Sequence, residues 1–187
     1  MELEAILDQV YPLPDASKNA LKHCITEQQY KKGTILLRAD KIEKNIYFIK
    51  KGIARGYVHR ADHEVTFWFG QEGSVIVSMR SYVENKASYE DIELLEDCTL
   101  FELKTAALER LYEEDIHIAN WGRKFAEREL IKTEELFIFR QTRNATERYR
   151  ELLENTPHLI KRVQLGYIAS YLGITQVSLS RIRAEIK

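Results

Sequence analysis

Residues Val163–Lys187 read VQLGYIASYLGITQVSLSRIRAEIK. With Leu165 taken as the first position of a twenty-residue pair of crossed helices, Ala169 falls fifth, where the helices approach and only a small side chain fits. Gly173 falls ninth, where the tight turn favours a residue tolerant of positive φ. Ile168, Leu172, Ile174, Leu179 and Ile182 then occupy the positions that must be apolar to lock the helices together. Thr175 sits where its hydroxyl caps the second helix. The exposed face of that helix carries Gln176, Ser178, Arg181 and Lys187. These side chains have the length and the donors to reach base edges and phosphates, and the pattern predicts a helix-turn-helix that binds DNA.

The surrounding charge agrees. The whole chain of 187 residues has a formal net charge of −1, which excludes a globally basic nucleic-acid binder. From Phe139 onward, however, nine basic residues face four acidic ones. That local excess of five creates a positive field that the average conceals. Lys161, Arg162 and Gln164, just before or at the start of the motif, are candidate phosphate anchors. Asn144 and Glu147 have capping-box spacing and predict a helix start.

Upstream, residues 105–155 contain no Pro and only Gly122, and their apolar positions recur at helical spacing. Leu108, Leu111, Ile116, Ala119, Phe125, Leu130, Leu136 and Phe137 form a stripe that predicts a helix over 116–139, its apolar side buried against a second copy of the chain. From about Gln28 to Leu103 the texture changes to short β-like runs: 34–37, 45–49, 53–59, 64–69, 74–77, 92–95 and 99–103. Lys32-Gly33, Lys51-Gly52 and Glu72-Gly73 punctuate them, and Arg60–His63 reads as a hairpin tip. Such a series predicts a roll or sandwich. Residues 1–25 read as helical, with a break at Pro12 and Pro14. The expected fold is therefore α+β: an N-terminal β-roll or sandwich with flanking helices, a long helix, and a C-terminal helix-turn-helix. The expected divisions are 1–115, 116–140 and 141–187.

The N-terminal stretch MELEAILDQV lacks the apolar run of a secretory signal, and no window approaches the ~18 apolar residues that span a bilayer. The expected location is the cytoplasm, without a membrane partner. Cys24 and Cys98 are too few for a disulfide framework or an iron–sulfur cluster and read as buried free thiols. His59 and His63 flank the hairpin tip with no third ligand in proximity, so no metal or other cofactor is expected. No P-loop, nucleophile elbow or carboxylate pair points to an enzyme.

The order of a β-roll, a long helix and Ile168-Ala-Ser-Tyr-Leu-Gly-Ile-Thr175, followed by Ser180-Arg-Ile-Arg183, resembles the CRP/FNR superfamily of dimeric transcription regulators, above all its short Bacteroidetes-type members. The resemblance implies a cyclic-nucleotide-binding-like β-roll of double-stranded jelly-roll type, a homodimer and a palindromic operator on double-stranded DNA, with RNA polymerase as a further partner. It implies base contacts for Arg181 and Gln176. Where many relatives carry a glutamate that reads cytosine this chain has Val177, so its operator is expected to differ from the best-known consensus. No wing sequence follows Lys187, and contacts from a wing are not expected.

In the family, a Gly-Glu pair and an Arg-Ser or Arg-Thr pair hold the cyclic nucleotide through its ribose and phosphate. By spacing, Val77-Ser78 and Ser88-Tyr89 replace them here. Each lost charge-assisted contact is worth roughly 1.5–3 kcal/mol, so the roll is not expected to bind cyclic AMP with signalling affinity. Ser78, Met79, Arg80, Lys86, Ser88 and Tyr89 are the candidate pocket for a different small-molecule effector. The alternative reading of the chain is a ligand-binding or protein-interaction module that does not bind DNA.

Overall fold

The computed structural model describes residues 1–186; Lys187, read above as a DNA contact, lies outside the described residues. In chain order the elements are α1 (Leu3–Val10), α2 (Asp15–His23), β1 (Ile25–Tyr30), β2 (Ile35–Leu37), β3 (Asn45–Lys51), β4 (Ala54–His59), β5 (Glu64–Gly70), β6 (Val75–Ile76), α3 (Met79–Glu84), β7 (Asp91–Leu94), β8 (Cys98–Lys104), α4 (Thr105–Glu114), α5 (Ile116–Thr142), α6 (Ala145–Asn155), α7 (Pro157–Arg162), α8 (Leu165–Tyr171) and α9 (Gln176–Glu185). The fold is α+β, with two four-stranded sheets ordered β1-β8-β3-β6 and β2-β7-β4-β5. The chain divides into two compact units. One comprises Met1–Gly56 and Phe69–Leu130; the other comprises Tyr57–Trp68 and the chain from Ile131 onward.

The first unit holds the roll. β8 is an inner strand of the first sheet, antiparallel to β1 from Ile25↔Leu103 to Tyr30↔Cys98 and to β3 from Asn45↔Lys104. Leu100 and Leu103 of β8 are both fully buried and, three positions apart, lie on opposite faces of the sheet, with Phe101 and Leu103 on the side of the helices. The core joins Ile46, Phe48, Phe101 and Leu103 of the sheet to Ile6, Leu7 and Val10 of α1, Leu21 of α2, Leu108 and Leu111 of α4, and Ile118, Trp121 and Phe125 of α5. Trp121 anchors this helical side: its indole Nε1–H donates to the Leu7 carbonyl at 3.0 Å, and its ring stacks on Phe125 at 5.9 Å.

The fold departs from three sequence expectations. The stripe from Leu108 to Phe137 is not one helix face. Asp115 ends α4 and starts α5, its carboxylate accepting from the His117 and Ile118 amides at 2.8 and 3.4 Å. Leu108, Leu111 and Phe125 pack within their own unit, while Leu130 and Phe137 are exposed together with Ile131 and Ile138. The helical reading of residues up to 25 also ran too far, because α2 stops at His23 and Ile25 begins β1. Finally, Cys24 is half-buried rather than buried; both thiols are free.

The second unit holds the remainder of α5, helices α6–α9 and the distal part of the β4–β5 hairpin. α6 starts with the capping box expected from its sequence. The Asn144 side chain accepts from the Glu147 amide at 3.0 Å, and the Glu147 carboxylate accepts from the Asn144 amide at 2.9 Å. Pro157 opens α7 at a position where its missing N–H costs nothing. The unit buries Tyr149, Leu159, Val163, Ile168, Ala169, Leu172 and Leu179.

Candidate nucleic-acid interface

α8, a four-residue turn and α9 form the pair of helices that the sequence predicted. Ile168, Leu172 and Leu179 are fully buried, Ala169 is 2% exposed, and Ile174 and Ile182 are half-buried. The turn closes as a Schellman motif: the Ile174 amide donates to the Ala169 carbonyl and the Gly173 amide to the Ser170 carbonyl, both at 3.0 Å. Gly173 adopts φ +67°, the left-handed region where a glycine is favoured. Thr175 caps α9, its hydroxyl accepting from the Ser178 amide at 3.1 Å.

Around this frame the sequence-predicted contacts separate by exposure. Gln176 and Arg181 on α9 are exposed, as are Gln164 at the start of α8 and Lys161 and Arg162 in the last turn of α7. Thr175 is exposed but committed to its cap. Ser178 is half-buried, and its hydroxyl lies 3.0 Å from that of Thr175. Of the α9 set, Gln176 and Arg181 therefore retain polar groups turned to solvent. The geometry suits major-groove reading, in which the N-terminal part of a recognition helix meets base edges and flanking cations meet phosphates.

Two residues that the sequence reading missed hold this unit together. Ser170 on α8 acts toward β5 as a neighbouring strand would. Its hydroxyl accepts from the Thr66 amide at 2.9 Å and donates to the Glu64 carbonyl at 3.0 Å. Arg140 on α5 donates to the Phe67 carbonyl at 3.0 Å and lies over the Tyr171 ring, 5.4 Å from its centroid. No local pattern marks either residue, since the backbone groups they bond lie some seventy to a hundred positions away. A cleft of about 260 Å³ among Lys132, Leu136, Phe139, Arg148, Leu152 and Tyr171 shares no residue with the α9 face.

In the roll, the candidate effector residues do not all converge. Ser78 and Ser88 are buried at 1% and 2% exposure, whereas Met79, Arg80, Lys86 and Tyr89 are exposed. Ser78 caps the short helix α3, accepting from the Ser81 amide at 3.4 Å. The buried pair is joined instead by Ser81 and by Glu90, a carboxylate in the interior. Burial raises the Glu90 pKa, opposed by the Ser88 and Ser78 hydroxyls, and its Oε2 has no hydrogen-bond partner among the described residues. Lys86 pairs with Glu84 at 3.1 Å in solvent. The cation nearest in kind, Arg55, is buried but held by Glu93 at 2.8 Å. Among the described residues no group of three His, Cys, Asp or Glu is placed to hold a metal ion, and no helix is long and apolar enough to cross a membrane.

Residues 27–115 match the family model described as Cyclic nucleotide-binding domain. FixK2 from Bradyrhizobium japonicum superposes with a TM-score of 0.73 at 22% identity, covering 87% of this chain and 84% of that one. A protein from Eubacterium rectale, described as a transcriptional regulator of the crp/fnr family, gives 0.67 at 19% identity over 93% and 85%. The chain has the CRP/FNR fold. A third protein with this fold, the c-di-GMP responsive global regulator CLP of Xanthomonas campestris, gives 0.69 at 15% identity over 92% and 91%. Among curated proteins none matches the chain. The CRP/FNR fold thus spans the roll, the long helix and the helix-turn-helix, in agreement with the resemblance read from the sequence.

Proposed function

We propose that this chain is a DNA-binding transcription regulator of the CRP/FNR type, acting as a homodimer on a palindromic operator. The observation that carries the proposal is α9: capped by Thr175, anchored by Leu179, and exposing Gln176 and Arg181 in a basic segment. Two such helices related by a two-fold axis would enter successive major grooves about 34 Å apart. Leu130, Ile131, Phe137 and Ile138, exposed on α5, supply the apolar side that a second copy would cover. Arg181 and Gln176 read bases, Ser178 assists, and Lys161, Arg162 and Gln164 hold phosphates. Soluble operation in the cytoplasm and recruitment of RNA polymerase belong to the same reading.

The roll, on this proposal, does not bind cyclic AMP with signalling affinity. A cyclic phosphate brought to Ser78 and Ser88 would meet the Glu90 carboxylate rather than a cation, because Arg80 and Lys86 face solvent. The effector, where one acts, is chemically different, and the region of Ser78, Met79, Arg80, Lys86, Ser88 and Tyr89 is where it would enter. Micromolar binding of cyclic AMP by calorimetry would overturn this part.

The test of DNA binding is a gel shift with genomic fragments across a salt series. Specific complexes whose affinity falls steeply with salt support the proposal. Arg181→Ala should cost roughly 1–3 kcal/mol per half-site and relax discrimination with the dimer intact. An unchanged operator affinity removes Arg181 from its role, and absence of any specific complex favours a protein-interaction module instead.

A further inference from the structure

The first turn of α9 carries a side chain that neither core packing nor helix propensity explains. Val177 is 62% exposed, although Leu179 two residues on is fully buried. At 3.6 residues per turn those two positions lie about 200° apart, so Val177 points away from the face that anchors the helix. Its neighbours at helical spacing are Ser180, Arg181 and Ala184, all exposed. The Ser180 hydroxyl donates to the Gln176 carbonyl at 3.0 Å and so turns back onto the helix. The outward strip is therefore small and largely apolar, with Arg181 as its one long side chain. A β-branched residue is also a poorer helix former than Ala, Glu or Gln would be at an exposed site.

A slim apolar strip lets the helix backbone approach a partner closely, and the partner surface must itself offer an apolar group. Within the major groove of B-DNA that group is the C5-methyl of thymine; every other edge presents hydrogen-bond donors or acceptors. We propose that Val177 is a specificity-determining residue that packs its isopropyl group on a thymine methyl in each operator half-site, beside the bases read by Gln176 and Arg181. This rests on the DNA-binding reading above and names one base that the reading leaves open.

The test begins with selection of an operator from a random duplex pool by the full-length protein. Each dT of the enriched site is then replaced by dU, which removes only the C5-methyl, and affinity is read by fluorescence anisotropy at fixed salt. One thymine position should lose about four-fold per methyl, corresponding to ~0.8 kcal/mol for a buried methyl group, and roughly fifteen-fold when both half-sites are replaced. Val177→Ala, an exposed substitution that leaves the core untouched, should weaken binding to the dT operator and abolish the response to dU at that position alone. Val177→Glu should exchange the thymine for a cytosine, whose N4 amino group donates to a carboxylate. An enriched operator indifferent to dU at every position, or a Val177→Ala protein that keeps full sensitivity, overturns the inference while leaving DNA binding intact. Failure to enrich any duplex overturns the DNA-binding reading and the inference with it.

Discussion

Replacing Gly173 by Ala isolates one term of the energetics of the helix-turn-helix. The residue sits at φ +67°, and a Cβ built on it meets no atom within 4 Å. Sterics against neighbours therefore contribute nothing, and the cost is the left-handed backbone itself, about 1–2 kcal/mol for an L-residue. Alanine also narrows the unfolded ensemble, which returns up to about 1 kcal/mol. The net is about 1 kcal/mol, a roughly five-fold rise in the open population of this motif. Hydrogen exchange reads it directly: protection of the Leu172, Ile174 and Leu179 amides should fall about five-fold, with the amides of β3 and β8 unchanged. Asn, which tolerates this region, should cost less than Ala, and Val, branched at Cβ, more. Equal protection in the Gly and Ala proteins, or Val no worse than Ala, would refute the argument that backbone conformation fixes this turn.

Other perturbations address separate contacts. Ser170→Ala removes the hydroxyl that accepts from the Thr66 amide and donates to the Glu64 carbonyl, at a site where Thr66 is fully buried. A loss of about 1–3 kcal/mol is expected in urea unfolding, and an unchanged midpoint would show that the hydroxyl bridge contributes nothing. Glu90 has a folded-state pKa raised by burial above the ordinary 4.5. Its neutral form therefore favours folding below that value, and this contribution is lost as pH rises through the folded pKa. Glu90→Gln should make melting less dependent on pH in that window and raise stability at neutral pH; parallel pH profiles for the two proteins would contradict it. Leu130→Glu combined with Phe137→Glu places charge on two exposed α5 positions, 69% and 64% exposed in the single chain. Sedimentation should show monomers with unchanged helicity, and a retained dimer would move the interface elsewhere.

What could be read in the sequence was local. The helix-turn-helix announces itself because its constraints fall within twenty residues: Ala169 at the crossing, Gly173 in the left-handed turn, Thr175 as cap. The Asn144–Glu147 capping box is legible for the same reason. β1 was missed because ITEQQY is mostly polar and exposed, and only its pairing with β8 makes it a strand. The start of the long helix at Ile116 was legible, with Asp115 before it as a capping carboxylate, but the apolar stripe was drawn across that boundary and joined Leu108 and Leu111 of α4 to residues of α5. Glu90 could not be anticipated, because nothing in a lone glutamate reveals that the roll will close over it. Ser170 and Arg140 likewise take their meaning from hairpin backbone groups distant in the chain.

Reading of DNA by α9 from a two-fold dimer is tested most directly by footprinting on an operator fragment. Two protected half-sites are expected on one face of the duplex, centred about ten base pairs apart, both lost in the Arg181→Ala protein at concentrations where the native chain protects fully. Uniform protection without sequence preference, or none at any salt concentration, would contradict it.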